Sequence, residues 1–363
     1  MIKKISFKNF DWLLFVSLIL LTFLGLIIQY SLNLDNPFSE QSTFRRQIFF
    51  SLVGVFLFFF TAFIDYRFFK KITWLLYFFL IVLLVLVLLF GKTYRGIRGW
   101  LFGFQVSEFA KLVLILVLAR FFSHQGERLL NFKKSLLSGL IVFLPVFLIF
   151  KQPDFGSGFI LIILWLFLLF LVDKRLINFG KLVLILSLIL VSAWFLFLKD
   201  YQKERILTFI NPRRDPFGSG YQITQSIIAV GSGRFLGKGF GLGPQSQLRF
   251  LPETKTDFVF SVLAEEWGFL FASLVLVLYF ILFWRFFRIL KSTYDDYGIL
   301  LISGISLMIF IQVFINIGMN IGLAPVAGIP LPFLSYGGSS LLINFFLLGL
   351  AESLAIHQIR TVS

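Results

Sequence analysis

Cysteine is absent from the 363 residues, and only two histidines occur, His124 and His357. Disulfides, thiolate nucleophiles and Cys/His zinc sites are therefore excluded, and acid–base chemistry falls mainly to carboxylates and lysines. Charge is scarce as well, at 14% of residues, far below the roughly 25% of soluble domains. No internal repeat, coiled-coil heptad or low-complexity linker is evident, so the chain reads as one domain over 1–363. What fills it is apolar: 58% of residues are hydrophobic, 52 of them Phe, in runs such as 12–28. Runs of about 20 such residues cross a bilayer as helices.

These patterns predict an all-α polytopic membrane protein. Ten spans are expected, near 11–30, 46–64, 72–90, 104–122, 136–150, 156–172, 180–198, 257–283, 299–323 and 336–357. The fifth and sixth are short and separated by LysGlnProAspPheGlySer (151–157), which fits either one broken helical hairpin or two full spans. Lys3, Lys4 and Lys8 precede the first run as in a signal peptide, but no small-x-small cleavage site follows, so it reads as a retained helix.

The net charge of +15 raises the question of nucleic acid. The basic residues lie in short tracts between apolar spans rather than on one soluble face, which favours membrane lipids and argues against nucleic acid. With the N-terminus inside, the inner tracts hold seventeen Lys and Arg and the short outer loops six. Both termini are therefore expected in the cytoplasm. Residues 199–256 then form one long extracytoplasmic loop between helices 7 and 8, with nine basic and four acidic residues. From Tyr297 to Ala351 there is no charge, and a Pro/Gly-rich connection at 324–332 interrupts that stretch and is expected to tuck against the bundle.

Charges within spans are costly and point to cavities or partners. Glu108 and Lys111 are three apart on the fourth span and can pair directly, either to pin packing or to shape a cavity. Asp257 stands where the basic loop enters the eighth span; an N-cap role is the ordinary alternative. Its position beside an apolar bundle, with few other bases available, makes it the candidate base. Glu265 lies about 12 Å further along that helix and about 80° round from Asp257. It is the more plausible second cavity group than Glu266, with helix packing an equal alternative for either.

The run at 231–243 is glycine-rich but lacks phosphate-loop spacing; a nest for phosphate with Arg234 and Lys238, or a flexible loop, remain open readings. Gly318 and Gly322 are read as a helix-packing pair.

Two strings are specific. ProGluThrLysThrAspPheValPheSerValLeuAlaGluGluTrpGly (252–268) and GlyIleProLeuProPheLeuSerTyrGlyGlySerSer (328–340) resemble the SEDS family of shape, elongation, division and sporulation proteins. GlnValSerGluPheAlaLys (105–111), GlnProAspPheGlySer (152–157), GluArgIle (204–206) and GlyTyrGlnIleThrGlnSer (220–226) fall in that family's order. The runs at 231–239 and 246–253, with Met319, look more like its elongation branch than its division branch. Val106 and Ser157 depart from the family's usual proline and threonine, which touches local geometry but removes no carboxylate.

The resemblance implies a ten-helix glycosyltransferase polymerising lipid II at the outer face of the inner membrane, beside a class B penicillin-binding protein that crosslinks the strands. It places the family's key carboxylate on Asp257, and the Glu and Lys of its fourth-helix motif on Glu108 and Lys111. Arg205, Arg213, Arg214, Lys238 and Lys255 are candidates to balance a departing pyrophosphate. A divalent cation, Mg or Mn, could share that task, although no ligand cluster is legible. A lipid II flippase and a non-catalytic scaffold are the rival functions.

Overall fold

The computed structural model describes residues 9–34, 42–94, 97–124, 132–172 and 218–357, with 180, 207–209, 211 and 215 between them. Apart from residue 180, the expected seventh span at 180–198 lies outside the described residues.

The helices are α1 (Trp12–Ser31), α2 (Thr43–Phe63), α3 (Tyr66–Phe90), α4 (Val106–Ser123), α5 (Phe132–Lys151), α6 (Phe155–Val172), α7 (Ser219–Ser232), α8 (Pro244–Gln247), α9 (Val259–Ser292), α10 (Asp296–Asn320) and α11 (Gly338–His357). Eight of these are long and apolar enough to cross a membrane. α4 matches them in length but carries Glu108, Lys111 and Arg120 and is buried along most of its course. The chain is thus a multi-pass helical membrane protein. The fifth and sixth spans are two separate helices of 20 and 18 residues rather than one broken hairpin.

Helix starts follow local chemistry. Asp11, Asp65 and Asp295 are N-caps, accepting from the backbone N–H of Leu14, Arg67 and Gly298. All three lie at one end of the bundle, termed the lower end here. Asp11 receives Arg285 Nη2 at 2.6 Å, and its own N–H donates to Glu352 at 2.7 Å, which ties α1, α9 and α11. Close packing through small residues joins α2 to α11: a Cβ on Gly349 would lie 1.8 Å from Thr61 Oγ1 and 2.6 Å from Phe58 O. The opposite face of α2 turns Phe49, Leu52, Phe56 and Phe60 outward, as a lipid-facing stripe requires.

Two expectations need correction, and one connection has structure the sequence did not suggest. The third span begins at Tyr66 rather than residue 72, because Asp65 caps it. The connection before α4 carries structure of its own: β1 (Lys92–Tyr94), β2 (Ile97–Leu101) and β3 (Phe104–Gln105) form an antiparallel sheet in that order. Phe102 and Gly103, both at positive φ, make its two-residue turn. Gly318 and Gly322 are not a helix-packing pair. α10 ends at Asn320, Gly322 takes φ 77, and Leu323 N donates to Gly318 O at 2.7 Å, a left-handed helix cap.

Candidate active site

Asp257 sits in the turn that leads into α9. Glu253, at φ 54, lends its carbonyl to the N–H groups of Thr256, Asp257 and Phe258 at 3.2, 3.1 and 3.3 Å. The Asp257 carbonyl is gripped from α10, accepting from Asn316 Nδ2 and Asn320 Nδ2, each at 3.0 Å. Asn316 also donates to Ile329 O at 2.8 Å, fixing the proline-rich connection on the same anchor. The half-buried Asp257 side chain faces that connection: a Cβ on Gly328 would stand 3.9 Å from its Oδ2.

The anchor reaches a third helix. Asn320 Oδ1 accepts the Ser261 N–H at 3.0 Å, and the Ser226 hydroxyl on α7 pairs with Ser261 Oγ at 2.7 Å and donates to Asn320 O at 2.8 Å. Phe258, the N-cap of α9, offers no side-chain acceptor, so Asn320 caps the helix from outside. Ser226, Ser261, Asn316 and Asn320 are fully buried, where unpaired polar groups would be costly.

The cation of this turn is Lys255. Its Nζ donates to Asn33 Oδ1 at 3.0 Å, and its carbonyl accepts from Gln29 Nε2 and Tyr336 N, both at 2.9 Å. Burial first, and then repulsion from Arg249, lower the pKa of its ammonium from the ordinary lysine value. An anion beside it would offset both effects.

The second polar group lies deeper. Lys111 Nζ meets Glu108 Oε1 at 2.6 Å with both side chains buried, the pairing their spacing predicts. Glu108 Oε2 has no hydrogen-bond partner among the described residues. Just above it Ser107 Oγ donates to Asp154 Oδ2 at 2.7 Å. α4 and α10 run antiparallel with Gly304 against Ile115, which sets Gln312 level with Ser107 and Glu108. Gln312, Asn316 and Asn320 recur every fourth residue and share one face of α10. This stripe spans about 12 Å from the level of the ion pair to the Asp257 anchor. Asn316 and Asn320 belong to no motif legible in the sequence; the signal for them is their recurrence in a charge-free stretch.

Glu265 and Glu266 are both buried and both bind the segment after α7. Glu265 accepts Gln245 N at 2.8 Å and Ser246 N at 3.0 Å, capping α8. Glu266 accepts Ser31 Oγ at 2.6 Å and Gln247 Nε2 at 3.0 Å. Of the two readings given for Glu265, the geometry matches the packing one. α9 itself extends to Ser292 and breaks at Gly268 (φ 72), where the sequence suggested one unbroken helix. The glycine run explains itself there: added Cβ atoms on Gly233 and Gly237 would lie 1.8 and 2.2 Å from Ala264 O and Glu266 O. These glycines permit close backbone approach. Lys238 is exposed, and its N–H binds Glu265 O at 2.9 Å, about 12 Å along the helix from Asp257. Arg205, Arg213 and Arg214 lie outside the described residues.

The arrangement of a carboxylate, a cation and a gripped proline-rich loop at a helix mouth coincides with a family. A family model described as cell cycle protein, covering FtsW, RodA and SpoVE, matches residues 11–360. The chain belongs to the FtsW/RodA/SpoVE family. It is 39% identical over 353 residues to stage V sporulation protein E of Bacillus subtilis, covering 93% of this chain and 95% of that one. To peptidoglycan glycosyltransferase MrdB of Escherichia coli it is 39% identical over 287 residues, with 78% and 77% covered. To a probable peptidoglycan glycosyltransferase FtsW of Trichlorobacter lovleyi it is 35% identical over 364 residues, with 96% and 93% covered.

Among solved structures it resembles a chain from work on structural coordination of polymerization and crosslinking by a peptidoglycan synthase complex. The TM-score is 0.79 at 29% identity, covering 97% of this chain and 99% of that one. The rod shape determining protein RodA of Thermus thermophilus matches with TM-score 0.70 at 26% identity, covering 97% and 98%. Elongation, division and sporulation names thus all occur, and identity does not separate the branches.

Proposed function

We propose that this chain is a peptidoglycan glycosyltransferase that polymerises lipid II, with Asp257 as its base. The observation that carries the reading is the family match across residues 11–360, in a chain whose half-buried Asp257 stands two residues from the pKa-lowered Lys255. In the reaction the acceptor sugar's 4-hydroxyl attacks the anomeric carbon of the donor. A C–O bond forms there, the bond to undecaprenyl pyrophosphate breaks, and the hydroxyl proton passes to Asp257. Lys255 stabilises the negative charge that leaves with the pyrophosphate.

Among the described residues no three of Asp, Glu, His or Cys gather as a metal site. A divalent cation fits this donor set only as a guest shared by Asp257 and substrate phosphates, where it would neutralise the leaving group.

The asymmetry of basic tracts supports an inner-membrane protein with cytoplasmic termini and the Asp257 end outside. The likeness to a chain of a peptidoglycan synthase complex supports a class B penicillin-binding protein as partner. A flippase would need polar groups from face to face. The α10 stripe stops at Gln312, and the same face continues as Met308, Gly304 and Leu300, which favours polymerisation.

The test is Asp257→Asn, purified with its partner and given lipid II. Losing the base should lower polymerisation by about 10²- to 10⁴-fold while monodispersity and partner binding persist. Equal polymer from D257N and wild type would sink the assignment. If neither makes polymer while wild type moves labelled lipid II between leaflets, the transport reading replaces this one. The sequence runs at 231–239 and 246–253 favour the elongation branch. Rescue of cell shape, rather than of septation, in a depleted strain would support that placement.

A further inference from the structure

Two antiparallel helices mark where the bilayer lies. α1 rises from Trp12 to Tyr30 and Ser31, while α9 descends past Trp267 to Trp284 and Arg285. They meet at both levels: Arg285 with Asp11 below, and Glu266 with Ser31 above. The 17 or 18 residues between these aromatics span about 26 Å, close to the thickness of a hydrocarbon core. Trp12 and Trp284 at one boundary, with Tyr30 and Trp267 at the other, are placed as interfacial aromatic belts are.

The segment after α7 is seated at the upper boundary. Gly239 N donates to Glu266 O, and the N–H groups of Phe269 and Leu270 donate to Arg234 O and Phe235 O. Phe240 stacks on Tyr30 at 6.0 Å and meets Trp267 edge-on at 6.2 Å. From this seat Phe235, Leu236, Leu242, Leu248 and Phe250 point outward, Leu236 with 74% of its surface exposed. Between them stand the exposed Arg234, Lys238 and Arg249, and no acidic residue occurs from Gly233 to Pro252. Apolar side chains interleaved with cations, held at the boundary between acyl chains and headgroups, match an in-plane amphipathic anchor. The single sign of charge selects anionic lipid.

We propose that residues 234–250 are an interfacial anchor in the upper leaflet that binds the phosphate headgroups of anionic phospholipids through Arg234, Lys238 and Arg249. The inference stands on the bilayer-spanning architecture and not on the transferase reading.

The absence of cysteine permits a clean test in the full chain. Leu236→Cys carries an environment-sensitive nitrobenzoxadiazole dye in nanodiscs that contain spin-labelled phosphatidylglycerol or spin-labelled phosphatidylcholine as quencher. Leu248→Cys repeats the measurement at a second position, so that one misfolded variant does not decide the matter. Quenching is expected from both lipids, stronger from phosphatidylglycerol. That preference should fall about fivefold for each cation removed in Arg234→Asn and Arg249→Asn. Asparagine is chosen because both arginines hold positive φ. Quenching by neither lipid would overturn the anchor, and equal quenching by both would overturn headgroup selection. Quenching that disappears when the transpeptidase partner is added would assign the surface to that partner instead.

Discussion

The Asp257 carbonyl is held by two side-chain amides, so their removal should be strongly non-additive. Asn316→Ala leaves Asn320 on that carbonyl and frees Ile329 O; a lost buried hydrogen bond of this kind costs about 0.5–1.5 kcal/mol. Asn320→Ala leaves Asn316 in place but strips the cap from Ser261 N–H, adding about 1 kcal/mol. The double variant leaves a carbonyl without either amide, an extra penalty of about 1–3 kcal/mol. Denaturant unfolding of the four proteins in detergent should therefore give a coupling energy of that size. Polymer yield should follow the same order, because a carboxylate displaced by about 1 Å loses on the order of 10² in rate. Losses that add to within about 0.3 kcal/mol would refute the idea that this carbonyl is the hub joining α9, α10 and the proline-rich connection.

Two further outcomes follow from burial and exposure. Lys111→Ala strands the Glu108 carboxylate, whose second oxygen already lacks a partner among the described residues. It should cost about 3–5 kcal/mol by the same unfolding assay, with the Glu108→Ala/Lys111→Ala pair less damaging than the sum; additive losses would remove the pairing. For orientation, single cysteines at Phe102 and Tyr294, 99% and 77% exposed, separate the two faces. An impermeant thiol reagent on intact spheroplasts should label position 102 and spare 294, and the reverse pattern would invert the topology.

The sequence by itself determined the solvent, the approximate positions of the spans that fall among the described residues, and the ion pair. Apolar runs of bilayer length admit one backbone solution, the helix, and a three-residue spacing makes Glu108 and Lys111 neighbours on it. It also picked out Asp257, because intramembrane and boundary carboxylates are rare in a chain so poor in charge. Tertiary structure alone decided what surrounds that carboxylate. Asn316 and Asn320 matter because α10 lies across the start of α9, a relation separated by 59 and 63 residues in sequence. Equally, the break at Gly268 and the close approach of Gly233 and Gly237 are one feature made by two distant segments. Glycine in a sequence says that something comes near, without saying what. The tasks of Glu265 and Glu266 were hidden for the same reason: helical phase orders side chains around an axis, while only packing shows which N–H groups wait on each side.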